Sequence, residues 1–325
     1  MINKKRLIKT FTDLVKIDSE SRNEVDVARY IKNKLNKLGI KYKIDKSAVL
    51  TKSNHGNIIA KLGSKKNLPT ILLSSHMDTV TNGLGIKPVI KKDSITSDGR
   101  TILGADDKSG LAIILETLEI LKRKKLNHYN VEAAITTCEE IGLLGAKFLD
   151  YNLLNSREGI VLDSTSPERL VYKGPSSDYF NIIVQGVEAH SGINPEKGIS
   201  SITASADIIS KMRTGRINSN STINIGKING GSAINIVPGR TEINCEIRSH
   251  NENTIKIELG KIKKIIENVN KKYKKINKKF NAKIKINRIY DSINIPKNSL
   301  IIKNILKTCK QFDYKIDLVE TGGGA

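Results

Sequence analysis

Two rhythms of apolar positions alternate over the first 165 residues. Residues 3–15 repeat them at helical spacing. Ser21-x-x-Glu24 reads as a capping box that opens a second helix through Leu38, stopped at Gly39. Residues 57–62 and 70–74 read as strands, the second a continuous apolar run suited to a sheet covered on both faces. A long helix is predicted over 108–125, a strand over 131–137, a short helix over 140–149 and a strand over 159–162. Strands alternating with helices predict an α/β architecture: a mostly parallel sheet flanked by helices, with ligands at the carboxyl ends of the strands.

The rhythm changes near Gly174-Pro175. A strand over 178–187 and a helix over 199–213 are followed by three strands in succession, 222–228, 233–237 and 240–248, and then by a lysine-rich helix. This block reads as an α+β module inserted into the first domain. After Ile289 a helix (299–312) and a strand (315–319) are expected to rejoin the first sheet. The predicted division is residues 1–174 with 288–325 for the first domain and 175–287 for the insert. A chain of 325 residues has room for about two such domains.

Composition narrows the class. With 38% hydrophobic and 27% charged residues the chain has the makings of a core and is not a disordered tail. Three dispersed cysteines exclude a disulfide scaffold and fit a reducing cytosol. No apolar stretch approaches the roughly 20 residues of a membrane span. The basic N-terminus lacks the apolar core of a secretory signal. The net charge of +22 raises the question of nucleic acid. Twelve lysines lie from Lys256 to Lys285 against Glu258 and Glu267, yet Ile262, Ile265, Val269, Tyr273 and Ile276 recur at helical steps between them. The pattern is that of an amphipathic helix with a solvated lysine face. No aromatic-rich strand or arginine cluster accompanies it, so a nucleic-acid partner is not expected.

The candidate chemistry sits at predicted strand ends. Ser75-His76-Met77-Asp78 closes the second strand, and His76 and Asp78, two apart, share a side of an extended chain. Gly104-Ala105-Asp106-Asp107 precedes the long helix; Asp107 can cap it, which leaves Asp106 free as a ligand. Cys138-Glu139-Glu140 follows the next strand, where acids also favour a helix start. Asp163 ends the last one. Carboxylates crowded on one sheet edge repel and protonate unless cations lie among them. Carboxylate and imidazole donors suit zinc, manganese or cobalt.

The stretches LLSSHMDTV, ILGADDKSGLAIILE, CEEIGLLGAKFL, IVLDS and VEAHSG resemble the M20 family of metallopeptidases, in its peptidase T-like branch, over nearly the whole chain. The resemblance implies a zinc-exopeptidase-like catalytic domain with an inserted lid that also mediates dimers. It implies cleavage of amide bonds in di- or tripeptides or N-acylated amino acids, with two zinc-like ions. His76 and Asp163 then match terminal ligands of one metal, Asp106 a bridging ligand followed by a cis peptide bond, and Glu140 a ligand of the second. Glu139 matches the general base acting on the metal-held water, and Asp78 the carboxylate that orients His76. In the lid, His190 matches the donor to the carbonyl oxygen. Asn235 and Arg248 match positions that hold the substrate's backbone or carboxylate, although a turn and a surface ion pair are equally available readings. His55, His128 and His250 lack motif context and read as surface residues.

The chain stops at Thr321-Gly322-Gly323-Gly324-Ala325, where the family continues to a late histidine that completes the second metal site. The expectation is a truncated relative with a first site of His76, Asp106 and Asp163, a second of Asp106 and Glu140, and weak or no turnover. The expected function is a cytoplasmic aminopeptidase or tripeptidase-like hydrolase, dimeric through the lid. The alternatives are an N-acyl amino acid deacylase and a non-catalytic peptide-binding remnant.

Overall fold

The computed structural model describes residues 2–64 and 68–323, which form two compact units. The first comprises the chain up to Pro167 together with Leu300–Tyr314. Its elements are α1 (Lys4–Val15), α2 (Val25–Lys37), β1 (Lys41–Ile44), α3 (Ala48–Thr51), β2 (Ile58–Leu62), β3 (Thr70–His76), the short β4 (Val89–Ile90) and β5 (Ile95–Thr96), α4 (Ala105–Lys124), β6 (Asn130–Thr136), α5 (Leu144–Lys147) and β7 (Glu158–Val161). The second unit holds β8 (Arg169–Gly174), β9 (Ser176–Gln185), α6 (Ser201–Ile209), β10 (Gly215–Asn218), β11 (Ser221–Gly230), β12 (Arg240–Ser249), α7 (Glu252–Lys274), β13 (Asn281–Tyr290) and β14 (Ile293–Asn294). The chain then contributes α8 (Leu300–Gln311) to the first unit and ends with β15 (Asp317–Glu320) in the second.

The first sheet runs β1-β2-β6-β3-β7. It is mixed: β1, β2 and β6 pair antiparallel, and β6, β3 and β7 pair parallel. The parallel trio matters for the site, because it puts the carboxyl ends of three strands on one edge. Its core is apolar on helix and sheet alike, with Leu14, Val27, Ile31 and Leu35 from the helices against Ile58, Ala60, Ala133 and Ile135 from the strands. Asn3 caps α1 by accepting the Arg6 N–H at 3.0 Å, and Gly39, at φ +60°, ends α2 in the left-handed conformation that glycine tolerates.

The second unit is a five-stranded antiparallel sheet, β10-β11-β12-β9-β13. Phe180, Ile182, Ile243 and Ile247 share one core with Ala204 and Ile208 of α6 and Ile255, Leu259, Ile262, Ile266, Val269 and Tyr273 of α7. The lysine-rich helix is thus amphipathic as read, with its lysines exposed. Ile276 differs: it lies past the end of α7 and is 65% exposed. No helix among the described residues is long and apolar enough to cross a membrane.

Several predicted elements change. Residues 233–237 form a turn with one bridge, His190 to Ile236, because no neighbouring strand offers them a ladder. The strand predicted over 315–319 does not rejoin the first sheet; β15 pairs parallel with β8 in a small sheet β14-β8-β15. β13 extends through residue 288, so the strand crosses the division predicted there. The helix predicted over 140–149 shrinks to α5, since Gly142 and Leu143 take positive φ and turn the chain first.

Candidate metal centre

β3, β6 and β7 deliver His76, the Glu139–Glu140 turn and Asp163 to the same edge, and the start of α4 supplies Asp106. The backbone leaves helical geometry at Asp106 and Asp107, and the bond between them is cis. Asp107 then caps the helix, accepting the Gly110 N–H at 3.0 Å.

His76 is almost wholly buried. Its Nδ1 lies 3.0 Å from the carbonyl of Asp78 and 3.4 Å from the Asp78 carboxylate. With Nδ1–H donated there, Nε2 is the nitrogen left free to ligate, and it faces the acids. Asp106 Oδ1 lies 3.2 Å from it, Asp163 Oδ2 3.8 Å and Glu139 Oε2 4.0 Å. Two donor groups result among the described residues, His76–Asp106–Asp163 and His76–Glu139–Glu140, each with ligand atoms within 4.8 Å of one another. The first is the ligand set the sequence pointed to. The second gathers Glu140 with His76 and Glu139, where the sequence paired it with Asp106.

The electrostatics of this cluster are those of donors short of positive charge. Burial, with repulsion from Asp163, Glu140 and Asp78, pushes Glu139 up to about 7, while the charge of His76 works against the shift. Burial and Asp106 push Asp163 up to about 6, and burial also raises Glu140. Burial acts to discharge His76, but its bonds to Asp106 and Asp78 and the surrounding carboxylates push it up to about 11. Oxygen and imidazole donors at these separations fit a divalent cation, which supplies the compensation that protons otherwise provide.

Asp78 is fully buried and its carboxylate is saturated. It accepts from Ser21 Oγ at 2.7 Å and from the backbone N–H groups of Glu139 and Glu140 at 3.0 and 3.2 Å. The capping box read at Ser21-x-x-Glu24 is therefore absent. Ser21 serves Asp78, Glu24 makes no side-chain cap, and Asn54 caps α2 through the Val25 N–H. Lys108, another residue without a sequence signal, is buried and donates to Ser19 Oγ at 2.7 Å.

In the second unit His190 is exposed and sits beside Asn235, joined by the Ser191 N–H to Asn235 carbonyl bond at 3.0 Å. Asn235 occupies a turn. Arg248 pairs with Glu246 at 2.8 Å and donates to the Gly322 carbonyl. His128 is half-buried, its Nδ1 beside the Tyr129 carbonyl. His55 and His250 are not surface residues. His55 is buried, bonded to the Gly56 carbonyl and Lys32, and His250 faces the Thr321 carbonyl.

Comparison with known proteins agrees with this geometry. Residues 176–274 match the M20 peptidase dimerisation domain and residues 57–191 match peptidase family M28. The Bacillus subtilis protein YqjE is 35% identical over all of this chain and 86% of its own length. The aminopeptidase PepT of Bacillus cereus superposes with a TM-score of 0.89 at 36% identity, and a tripeptidase of Staphylococcus aureus with 0.92 at 34%. Each covers 100% of this chain, which spans 86% of theirs. A strand-edge cluster of this composition, on a chain this similar to two solved peptidases along its whole length, identifies the protein as a member of the M20 family of metallopeptidases, in the peptidase T-like branch.

Proposed function

We propose that the chain is an aminopeptidase for short peptides, tripeptides foremost, with zinc as its metal and manganese or cobalt as substitutes. The observation that carries the reading is the pair of donor groups that share His76, one of which includes Glu139. Zinc would be held by His76, Asp106, Asp163 and Glu140, and when bound it polarises the scissile carbonyl and makes water acidic at neutral pH.

The protein's own groups do the rest. Glu139 takes the proton of the attacking water and returns it to the leaving amine, from a carboxylate whose Oε2 lies 4.0 Å from His76 Nε2. Asp78 fixes the His76 ring through Nδ1 and so keeps Nε2 aimed at the cluster. His190, Asn235 and Arg248 are substrate-binding residues in this reading, His190 as donor to the carbonyl oxygen as charge develops on it. The match to a dimerisation domain supports a homodimer through the second unit. Free cysteines, two of them buried, support the cytoplasm.

The test is hydrolysis of a tripeptide panel against N-acetyl amino acids, with and without zinc. Tripeptide cleavage lost in Glu139→Gln, while zinc stays bound, is the expected result. Cleavage of N-acetyl amino acids alone would favour the deacylase, and full turnover in Glu139→Gln would remove the base.

A further inference from the structure

Four consecutive backbone N–H groups, from Thr137 to Glu140, are each received by a side-chain oxygen from a distant segment. Asn57 Oδ1 takes that of Thr137 at 3.0 Å and Glu24 Oε1 that of Cys138 at 3.0 Å. Asp78 takes the next two. All three acceptors have zero exposure. Buried N–H groups need partners, but a run of them normally finds backbone carbonyls. Here the sheet ladder ends at Thr136, and the chain turns through Cys138 at φ +53°, a conformation that a residue with a Cβ leaves unless it is held.

Glu24 is the holder at that residue. Its Oε1 also accepts from Arg22 N–H at 3.0 Å and the Cys138 thiol at 3.4 Å, while Oε2 accepts from Ser53 Oγ at 2.6 Å. A carboxylate locked on four donors has no freedom left for the cations, and it belongs to neither donor group.

We infer that Glu24 is a positioning residue for Glu139 and Glu140: by gripping the Cys138 N–H it sets the direction in which both carboxylates leave the end of β6. The inference rests on the roles proposed above for Glu139 and Glu140. A charged acceptor binds an N–H more firmly than a carbonyl does, and the bond falls on the residue just before Glu139, so small tilts at Cys138 are passed directly to it.

The experiment is a set of variants of the full chain, each checked for folding by circular dichroism. Two readings are taken: tripeptide kinetics, and calorimetric titration with zinc, which needs no turnover. Glu24→Ala should lower kcat by about 10–100-fold and weaken zinc at the Glu140-bearing group by about tenfold, with KM and the His76–Asp106–Asp163 group nearly unchanged. Glu24→Gln, which keeps the Oε1 acceptor, should restore both readings to within about threefold of the parent. In the Glu139→Gln background Glu24→Ala should cost little more kcat, since both act through one group. If Glu24→Ala does not fold, Glu24→Asp, whose carboxylate falls one methylene short of Cys138, should show the same losses. A folded Glu24→Ala or Glu24→Asp with parental kcat and zinc binding overturns the inference, as does Glu24→Gln that is as damaged as Glu24→Ala. A parent that binds zinc but cleaves no peptide speaks against the proposed function alone, and the zinc readings then decide the role of Glu24.

Discussion

The Asp78 carboxylate receives the backbone N–H of Glu139 at 3.0 Å, so the residue that orients the His76 imidazole also fixes the proposed base. One side chain thereby sets the relative placement of two strand ends, those of β3 and β6. Hydrogen bonds from Ser21, His76 and the turn keep Asp78 below the usual carboxylate range although burial opposes its charge. Asp78→Ala leaves the N–H groups of Glu139 and Glu140 without their acceptor and His76 with the residue-78 carbonyl alone. We expect a loss of about 3 kcal/mol in stability and of about 10–100-fold in zinc affinity, read by urea denaturation and calorimetry. A stable variant with parental zinc binding would contradict this.

Gly145 tests the same turn from its far side. A Cβ there would enter the Thr137 carbonyl and lie 2.8 Å from Asn57 Oδ1, the acceptor for the Thr137 N–H. Gly145→Ala should therefore lower peptidase activity by at least about tenfold, and lower the melting temperature. Gly260, on the open face of α7 with nothing within 4 Å, is the control: Gly260→Ala should be neutral or stabilising by about 0.5–1 kcal/mol.

The pH dependence of the metal-free protein has a definite sign. Glu139 and Asp163 titrate near 7 and 6 in the folded chain against about 4 when unfolded, so the folded state holds their protons more tightly. Their contribution is complete below about pH 4 and disappears as pH rises through 6 to 7. His76, raised to about 11, acts in the same direction, its contribution declining from about pH 6.5 upward. Zinc replaces those protons. Its stabilising effect on the melting temperature should grow from pH 5 to pH 8, and a zinc shift largest at pH 5 would refute the donor assignment.

In the second unit Phe280 is fully buried and its ring lies 4.9 Å from that of Tyr273, whose hydroxyl donates to Asp207 at 2.8 Å. Phe280→Ala should cost about 3–5 kcal/mol, seen as an earlier thermal transition.

Much of this was legible from the chain alone, for a physical reason. His76, Asp106, Glu139, Glu140 and Asp163 each stand in a short motif at the end of a recognisable element, so local pattern locates them and topology gathers them. Their supports were not legible. Glu24 meets Cys138 across 114 positions and Asn57 meets Thr137 across 80, and no local spacing encodes either bond. Ser21 and Glu24 have the spacing of a capping box, but buried acceptors and donors elsewhere compete for the same oxygens and win. β13 was hidden by composition: its Ala282, Ile284 and Ile286 alternate with lysines that look like more of α7. Residues 233–237 alternate like a strand, with Ile234 and Ile236, yet Ile234 is fully exposed because nothing packs over it.

Cys138 shows what the buried carboxylate does to its neighbour. Its thiol, adjacent in sequence to the proposed base, is turned inward, and burial together with the charge of Glu24 drives it up to about 12. At physiological pH the sulfur stays protonated, which removes the soft donor that would otherwise draw copper or cadmium toward the cluster. The same protonation makes it inert to peroxide and alkylating agents, leaving half-buried Cys309 as the more accessible thiol. The donors that face the cluster thus stay nitrogen and oxygen, and oxidation is steered toward a thiol outside it.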